Sequence, residues 1–511
     1  MPPRRAALLA ILTGIVAAAV TLATAELVAV FTGPGGSPLV AVGGFVIDIV
    51  PPGVKDTVIA LFGTGDKIVL LVSLGFAVAL LAVAAGLLEL RKPPLGVLVL
   101  AVVAGLGALA AVTREGAGGL AAAPSVVGMV VGAAVLRASA ARLRNWEETP
   151  EQGATDRRSF LRLVGIAGAA AIVVGVGARV VTAASAAVTA VRDAVALPAP
   201  ASTAAPVPAS AVLDDVDGIS SFITPNSEFY RIDTALSVPS VDPSEWSLRI
   251  TGMVEEEVTI TWDELLALPL EEHLATLSCV SNEVGGDLIG TALWLGYPIR
   301  ELLARARPTA GADMVLSRSV DGFTASSPLD VLQDENRASI LAVGMNGEPL
   351  PVEHGFPVRM VVPGLYGYVS ATKWVTELKV TTFADDLAYW STRGWSERGP
   401  IKVESRIDVP RQGQAVAAGT IAVAGVAWAP HTGISKVEVQ VDGGAWQPAR
   451  LAEAVTADTW VQWVYEWEAI AGDHVLLVRA TDSEGLVQTS EEAPPAPDGA
   501  TGWHLRTVTV A

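Results

Sequence analysis

The sequence predicts three regions in succession, namely an all-α bundle of apolar helices, an α+β domain and an all-β sandwich. Hydrophobic residues make up 51% of the 511 residues, and the apolar excess lies in the first 200. Strand-like and helix-like patterns alternate between about residues 214 and 400, and short alternating runs with turn signals fill the remainder. The chain is too long for one ordinary domain, and we place its regions at 1–183, 184–213, 214–400 and 401–511.

Charge is divided unevenly along the chain. Residues 1–200 carry 15 Lys and Arg against 11 Asp and Glu, whereas the remainder carries 19 against 42. Because phosphate contacts need Lys and Arg, so acidic a soluble part predicts no nucleic-acid partner. A single cysteine excludes an intramolecular disulfide framework, so the soluble part depends on its core for stability.

The first region contains five predicted membrane-spanning helices. Each is apolar over about the length that crosses a bilayer. The stretch Pro38–Phe62 is also apolar, but prolines and charged residues interrupt it and indicate an outside loop or a re-entrant segment. The five predicted helices are Ala6–Val30, Ile68–Leu90, Leu95–Val112, Leu120–Leu136 and Leu163–Thr182.

Lysines and arginines in the connecting loops predict the orientation of these helices. They lie before the first helix, after the second, and between the fourth and the fifth, which places the N-terminus inside. Five crossings then put everything after Thr182 outside the cytoplasm, in a multi-pass protein of the cell membrane. Arg157 and Arg158, followed by Phe160 and Leu161, resemble a twin-arginine export signal. Ordinary positive flanking of a helix is the alternative interpretation.

Haem ligands are almost missing from this region. The first histidine of the chain is His273, and Met129 is the only methionine in the predicted helices. A membrane haem needs axial His or Met ligands, so the bundle cannot hold a bis-histidine haem by itself. We expect the helices to act mainly as an anchor, with Glu26 as a candidate buried ionisable residue. The Pro/Ala-rich segment 184–213, centred on Leu197–Ser210, predicts a semi-extended linker.

Cys279 is the only cysteine, in the run Thr276–Glu283 (TLSCVSNE). A lone cysteine is most often a small buried hydrophobic residue. A zinc site is excluded because no second Cys or clustered His lies nearby, and no papain-like motif surrounds the thiol. A thiolate is, however, a soft anionic donor that suits a high-valent metal.

Further motifs follow Cys279 in the order Gly290–Pro298 (GTALWLGYP), His354–Arg359 (HGFPVR) and Lys373-Trp374. In order and spacing, these motifs resemble the molybdenum-cofactor domain of the sulfite oxidase family over about residues 214–511. The resemblance implies that Cys279 is the protein ligand of molybdenum in a molybdopterin cofactor. It also implies two-electron oxygen-atom transfer on a small oxo donor or acceptor.

The same resemblance assigns further residues to the site. Ser221–Arg231 and Ala371–Lys373 would hold the pterin, Arg359 would offer a fork of donors to its phosphate, and His354 would bond a pterin heteroatom. A structural ion pair for Arg359 and a turn-capping role for His354 are the alternatives. The predicted cofactor-binding residues are Asn226, Phe229, Tyr230, Arg231, Asp321, His354, Arg359, Ala371, Thr372 and Lys373, and the predicted catalytic residues are Cys279, Arg231 and Phe323.

Departures from the family's pattern bear on the substrate. Arg231 comes one residue before the position of an arginine in the animal and plant enzymes, where this chain has Ile232. Phe323 takes the place of their catalytic tyrosine, and Glu283 and Val284 take the place of paired arginines in the animal enzymes. An anionic substrate such as sulfite needs positive charge, so we expect a neutral or cationic substrate such as a sulfoxide or an amine oxide.

Residues 401–511 read as an all-β region. Asp442-Gly443 is a hairpin signal, and the spacing and number of strands predict an immunoglobulin-like sandwich. The segment also resembles the dimerisation domain of the family, which implies a homodimer. The predicted strands are Ile421–Trp428, Lys436–Val441, Trp460–Trp467, His474–Thr481 and Trp503–Val510.

The sequence therefore predicts a membrane-anchored molybdenum-cofactor oxidoreductase whose catalytic part lies outside the cytoplasm. Electrons would pass singly to or from a separate electron-transfer protein, such as a cytochrome or a quinone-linked subunit. Two alternatives stay open. One is a true sulfite oxidase or dehydrogenase, and the other is a non-enzymatic tethered binding module with a degenerate cofactor domain.

Overall fold

A computed structural model describes residues 3–32, 37–50, 66–113, 119–148, 153–182, 185–235 and 238–511, together with Val54 and Leu61. The chain divides into two compact units. The first comprises Met1–Ala187 and Ala235–Val238, and the second comprises Val188–Thr234 and Pro239–Ala511.

The first unit is helical. Helix α1 packs against α3, α5 and α6 through small residues, including Ala10, Ala17 and Ala85. In the described part of the chain, four helices are long and apolar enough to cross a membrane: Arg4–Thr32, Val69–Arg91, Leu95–Val112 and Ala123–Trp146. The helices are α1 (Pro3–Thr32), α2 (Pro38–Ile49), α3 (Asp66–Arg91), α4 (Leu95–Val112), α5 (Ala123–Glu148) and α6 (Gly153–Thr182).

The stretch predicted as a loop or re-entrant segment begins with a regular helix, α2. Ser37 caps it by accepting a hydrogen bond from the backbone N–H of Val40 at 3.4 Å, and Pro38 occupies the first turn, where its missing N–H costs nothing. The interrupting residues Pro51, Pro52, Lys55 and Asp56 lie outside the described residues.

The second unit begins with two sheets that position the site. One has the strand order β2-β1-β10-β5-β6 and the other β3-β4-β7-β8, with β9 paired to β7. The strands are β1 (Ser247–Gly252), β2 (Val258–Thr261), β3 (Glu271–Ser278), β4 (Ile289–Pro298), β5 (Met314–Ser319), β6 (Thr324–Pro328), β7 (Ile340–Met345), β8 (Glu348–Pro349), β9 (Arg359–Val361) and β10 (Val375–Thr381). The helices are α7 (Ser185–Ala194), α8 (Trp262–Leu266), α9 (Ile299–Ala306), α10 (Leu329–Gln333) and α11 (Gly367–Ser370).

Local sequence signals account for several of these elements. Thr261 and Glu264 form a reciprocal capping box at the start of α8, which is the Thr-x-x-Glu pattern of a helix start. Strands β3 and β4 pair in antiparallel register from Glu271↔Gly296 to Ser278↔Ile289. The last pair of this ladder brackets the loop that carries Cys279, so the hairpin fixes both ends of that loop.

The C-terminal region consists of two further sheets, with strand orders β11-β13-β17-β16 and β12-β19-β18-β14-β15. Each of the five strands predicted from the sequence overlaps an observed strand to within two residues at either end. Asp442 and Gly443 have φ values of 50° and 70°, as a tight hairpin turn requires. The strands are β11 (Glu404–Val409), β12 (Ala415–Val416), β13 (Gly419–Trp428), β14 (Ile434–Val441), β15 (Gln447–Pro448), β16 (Arg450–Leu451), β17 (Val461–Ala469), β18 (Gly472–Asp482) and β19 (His504–Val510).

The segment 184–213 is not the free linker that its composition predicted. It begins with α7, and the Arg192 guanidinium on that helix donates to the backbone carbonyls of Pro349 and Leu350. Farther on, Ala201 N–H donates to Leu270 O at 2.7 Å, and Ser202 forms a parallel bridge with Glu271 at the edge of β3. The small side chains of this segment let its backbone approach and pair with a sheet edge, which composition alone does not reveal.

Candidate active site

Cys279 lies in a short, closed loop between β3 and β4. Its N–H donates to Leu288 O at 2.9 Å, and Asn282 closes the loop by accepting the N–H of Leu288 at 2.9 Å on its side-chain oxygen. The residue is 8% exposed. Burial raises the pKa of the Cys279 thiol, and hydrogen bonds from Ser281 oppose that rise. The thiol therefore stays protonated unless a metal or a cation stabilises the thiolate.

Arg359 at the start of β9 is a buried cation, 5% exposed. Its hydrogen bonds go to the backbone carbonyls of His354 at 3.2 Å, Met360 at 3.3 Å and Ala371 at 3.5 Å, and its guanidinium carbon lies 5.1 Å from the ring centre of Trp294. No described residue supplies a carboxylate to it. Burial lowers the pKa of Arg359 to about 10, so it remains charged at neutral pH. The prediction of a phosphate-binding cation fits this arrangement, whereas the alternative of a structural ion pair does not.

Tyr230 lies close to both Cys279 and Arg359. Burial raises the pKa of the Tyr230 phenol, the nearby cysteine raises it further and the arginine opposes the rise. The Tyr230 ring stacks on Phe229 with 5.3 Å between centroids. Gly290 leaves room for this pair, because a Cβ atom there would come within 2.9 Å of the Phe229 ring. The opening segment thus reaches the cysteine and the arginine together.

His354 joins the same cluster as a neutral side chain. Its ring lies edge-on to Phe229 at 5.6 Å, and its Nε2 lies 3.2 Å from the backbone oxygen of Asn226. Burial, followed by the charges of Arg359 and Lys373, lowers the pKa of His354 to about 4. The imidazole therefore carries no charge at neutral pH and has one nitrogen left for a further hydrogen bond.

Lys373 forms a second cationic position. Its ammonium contacts the Asp233 carboxylate at 2.9 Å, accompanied by a hydrogen bond to Glu353 O at 3.0 Å. Burial lowers the pKa of Lys373 to about 8, and Asp233 opposes that change. The same carboxylate accepts the Arg231 guanidinium at 3.0 Å, so one buried anion partly neutralises both cations. Sequence reasoning missed Asp233, which precedes Lys373 by 140 positions and belongs to no motif.

Asn226 and Thr372 are predicted to contact the cofactor, but their side chains bond other residues of the fold. The Asn226 carboxamide bonds Asn346 at 2.8 Å and Glu348 at 2.5 Å, which leaves its backbone as the part facing His354. Thr372 is fully buried, and its hydroxyl lies 2.7 Å from that of Ser317 inside the fold. Ala371 and Thr372 therefore contribute to the site through the backbone segment that leads to the lysine.

Phe323 and Asp321 lie in the turn between β5 and β6. Asp321 accepts the N–H of Phe323 at 3.2 Å, and the Phe323 ring packs on Tyr389 at 5.8 Å. In the described part of the chain, the ring contact of Phe323 is thus with Tyr389 and not with the stacked pair beside Cys279. The structure places these two residues on a neighbouring hairpin.

Asn282 is a further buried polar residue that the prediction did not assign. It is 2% exposed, and its side-chain oxygen closes the Cys279 loop. Its Nδ2 group has no hydrogen-bond partner among the described residues. The sequence signal is its position three residues after the cysteine.

Comparison with known proteins finds matches that cover the region around Cys279 and Arg359. Residues 235–390 match the family model described as the oxidoreductase molybdopterin binding domain. Mitochondrial sulfite oxidase from Macaca fascicularis is 30% identical over 335 residues, which cover 56% of this chain and 60% of the relative. The sulfite oxidase of Arabidopsis thaliana is 27% identical over 328 residues, covering 53% of this chain and 83% of the relative. These similarities support a molybdopterin oxidoreductase of sulfite oxidase type.

A solved structure supports the same fold. The sulfane dehydrogenase SoxCD from Paracoccus pantotrophus matches with a TM-score of 0.50 and 24% identity, over 57% of this chain and 82% of that one. At that identity, the likeness concerns the fold alone. The chain spans about 60% of the length of the sulfite oxidase from Macaca fascicularis. The family model leaves the helical region outside its match.

The residues present fit the molybdopterin cofactor that this domain binds. Arg359 is buried, and its acceptors are backbone carbonyls and no carboxylate, so an anion would complete its pairing; a phosphate can accept two of its N–H groups in parallel. A buried thiol suits a soft metal centre, whose charge would stabilise the thiolate. When bound, the cofactor would supply oxidoreductase chemistry of the sulfite oxidase type, while Cys279, Arg359 and the aromatic pair of Phe229 and Tyr230 would anchor and orient it.

Proposed function

We propose that this protein is a membrane-anchored enzyme of the sulfite oxidase family that transfers an oxygen atom to or from a small neutral substrate outside the cytoplasm. Its metal ligand would be Cys279. The observation that carries the proposal is the buried, carboxylate-free Arg359, which shares the neighbour Tyr230 with that thiol. A degenerate, cofactor-free module has no reason to keep an unpaired buried cation, because such a charge is costly without an anion.

A neutral substrate is favoured by how the cations are paired. Asp233 holds both Arg231 and Lys373, and His354 is uncharged at neutral pH. Glu283, which lies in the Cys279 loop, is exposed and adds negative charge. Little positive charge is left to attract an anion, so we infer that a sulfoxide or an amine oxide is reduced more readily than sulfite is oxidised.

Oxidation of sulfite is the second candidate. The relatives with about 30% identity are named sulfite oxidases, and they share the domain that holds the cofactor. Reorientation of the 41%-exposed Arg231 away from Asp233 would give such a substrate a cation. Direct comparison of the two substrate classes therefore decides between the candidates.

We also infer how this enzyme is anchored in the membrane, how it assembles and which kind of protein exchanges electrons with it. Four long apolar helices support a multi-pass anchor, and α6 would be the fifth crossing, with Arg157 and Arg158 exposed on it. The two C-terminal sheets support an immunoglobulin-like sandwich and a homodimer of the family's type. Electrons would come from or go to a separate electron-transfer protein, either a cytochrome or a quinone-linked subunit.

The test uses the full chain, purified from a host that makes molybdopterin. We expect it to contain molybdenum and to release a fluorescent pterin on oxidation. It should also turn over sulfoxides or amine oxides with a reduced dye faster than it oxidises sulfite. Cys279→Ser should lower turnover by about a thousandfold, equivalent to about 4 kcal/mol, without unfolding the protein. A wild-type chain free of molybdenum, or a serine variant with full activity, contradicts the proposal, and faster turnover of sulfite favours the second candidate.

A further inference from the structure

We propose that Glu404 is the proton-exchange group of the active site and that the Tyr366 hydroxyl connects it to the Cys279 loop. The inference rests on the proposed function, because it concerns the protons of that reaction. Reduction of a sulfoxide follows R₂SO + 2H⁺ + 2e⁻ → R₂S + H₂O, in which the S–O bond breaks and two O–H bonds form. The electron-transfer protein supplies the electrons one at a time, and a buried site needs a route for the two protons.

Glu404 begins β11 and is a buried carboxyl group with unused hydrogen-bonding capacity. It is 4% exposed, and its Oε1 has no hydrogen-bond partner among the described residues. The nearby Lys402 ammonium is committed elsewhere, to Asp498 at 2.9 Å and to Gly499 O at 2.7 Å. An unpaired buried carboxyl is costly to keep, so its presence needs an explanation beyond packing.

A second unpaired group lies directly across the ladder from Glu404. Strand β11 pairs with β13 so that Glu404 faces Trp428, and the indole N–H of that buried tryptophan likewise has no described partner. Opposed residues in such a ladder hold their Cβ atoms about 5 Å apart. Two buried groups on neighbouring side chains, a donor and an acceptor that both lack partners, are groups that a water molecule can bridge, and water carries protons between fixed groups.

The chain leading into β11 runs beside the segment that carries Tyr366. Tyr366 N–H donates to Gly399 O at 2.7 Å, and Ile401 N–H donates to Gly364 O at 3.0 Å. The Tyr366 hydroxyl accepts the Lys402 N–H at 3.5 Å. These bonds place the phenol near the start of β11, two residues before Glu404.

The other side of the Tyr366 segment lies against the active site. A Cβ atom added to Gly367 would lie 3.8 Å from Ser278 O and 3.9 Å from the Tyr230 hydroxyl. Burial raises the pKa of Tyr366, and the charges of Glu404, Asp498 and Cys279 raise it further. The phenol therefore stays protonated and can pass a proton only by exchanging hydrogen bonds.

The Glu404 carboxyl gains and loses its proton close to neutral pH, as a proton-exchange group must. Burial raises the pKa of Glu404 to about 8, and Lys402 opposes that rise. The charged and titratable groups that interact with Glu404 are Lys402 and Tyr366, and Asp498 acts on both of these. At neutral pH the carboxyl is thus mostly protonated and able to donate, and the partly exposed Lys402 and Asp498 mark where protons enter from solvent.

The test compares Glu404→Gln, Tyr366→Phe and the control Glu438→Gln in the full, cofactor-loaded chain. Glu438 is also a buried glutamate of the sandwich, but Arg479 and Lys436 pair with it. Wild-type sulfoxide turnover should fall as pH rises through about 8, because the donor loses its proton. Glu404→Gln should lower kcat about tenfold at pH 7 and abolish that decline, with KM and molybdenum content unchanged.

Tyr366→Phe should lower kcat in the same direction and raise the solvent deuterium isotope effect, whereas Glu438→Gln should do neither. A wild-type pH profile in both Glu404→Gln and Tyr366→Phe overturns the proposal. Loss of molybdenum from Glu404→Gln but not from the control also overturns it, because it shows a structural role.

A second readout needs no turnover. Infrared titration of the cofactor-free chain should show a protonated carboxyl band at pH 7 that disappears around pH 8 and is missing in Glu404→Gln. Absence of that band from the wild type contradicts the proposal even if the enzyme is active. Conversely, a wild-type chain without molybdenum contradicts the proposed function while the infrared band still reports on Glu404, so the two failures are distinguishable.

Discussion

Two buried arginines, one in the cofactor domain and one in the C-terminal sandwich, differ in whether a carboxylate pairs with them. Arg406, on β11 of the sandwich, contacts the Asp408 carboxylate at 2.7 Å and donates to Gly286 O and the Ser220 hydroxyl. Arg359, on β9 of the cofactor domain, has backbone carbonyls as its hydrogen-bond acceptors. Both side chains are less than 10% exposed.

The difference separates a structural charge from a ligand-binding one. The ion pair of Arg406 and Asp408 stabilises the contact between the Cys279 loop and the sandwich, since Gly286, which accepts from Arg406, lies in that loop. A buried cation that the chain leaves incomplete lowers the stability of the unliganded fold and gains its partner when an anion binds. The two arginines should therefore respond in opposite ways to the same substitution.

The largest expected effect is on folding. Arg406→Met should lower the free energy of unfolding by about 3–5 kcal/mol, because it leaves the Asp408 carboxylate buried without its partner. Denaturant unfolding of the cofactor-free chain measures this loss in the free energy of unfolding. The double variant Arg406→Met/Asp408→Asn is the control and should recover much of the loss. Equal destabilisation by the single and double variants would show that the ion pair is not the cause.

The next effect is on ligand binding. Arg359→Met should lower molybdopterin affinity about a hundredfold, because two or three charge-assisted hydrogen bonds to an anion are lost. The same variant should leave the stability of the cofactor-free protein unchanged or raise it, since it removes a buried unpaired charge. Molybdenum content and unfolding of the cofactor-free chain give the two measurements. Destabilisation as large as that of Arg406→Met would contradict the distinction between the two arginines.

The contrast also explains what could be predicted from the sequence. Local patterns sufficed for the apolar helices, for the capping box at Thr261 and Glu264, and for the five longest strands of the sandwich. Motif order sufficed to select the region around Cys279 and Arg359. Each of these depends on residues that lie within a few positions of one another or on a recurring pattern.

Pairing between distant residues was not predictable in this way. Nothing local marks Asp233 as the partner of Lys373, or shows that Arg359 lacks a carboxylate while Arg406 has one. Strand β11 carries its charged residues Glu404, Arg406 and Asp408 at alternate positions, a pattern typical of an exposed face, although the structure buries Glu404. Burial of such a strand depends on the domain packed against it, which composition does not encode.

The smallest expected effect extends the comparison to two glutamates of the sandwich. Burial raises the pKa of Glu404 from 4.5 to about 8, so the folded protein binds its proton more tightly than the unfolded chain does. Stability should therefore fall by about 1.4 kcal/mol for each pH unit between about 5 and 8 on account of this group. For Glu438, burial alone would raise the pKa, but hydrogen bonds from Lys436 and Arg479 lower it, so its contribution is lost as pH falls instead.

Unfolding measured at pH 6.5 and 7.5 separates the two glutamates. Glu404→Gln should gain about 1 kcal/mol relative to the wild type between these pH values, because glutamine has no proton to lose. Glu438→Gln should be less stable than the wild type by about 1 kcal/mol at both, since its ion pairs are already fully formed there. A pH-independent difference for Glu404→Gln would mean that the carboxylate finds a partner inside the fold. Glu404 would then be paired inside the sandwich, as Arg406 is with Asp408. The contrast between a paired and an unpaired buried charge would then hold only for Arg406 and Arg359.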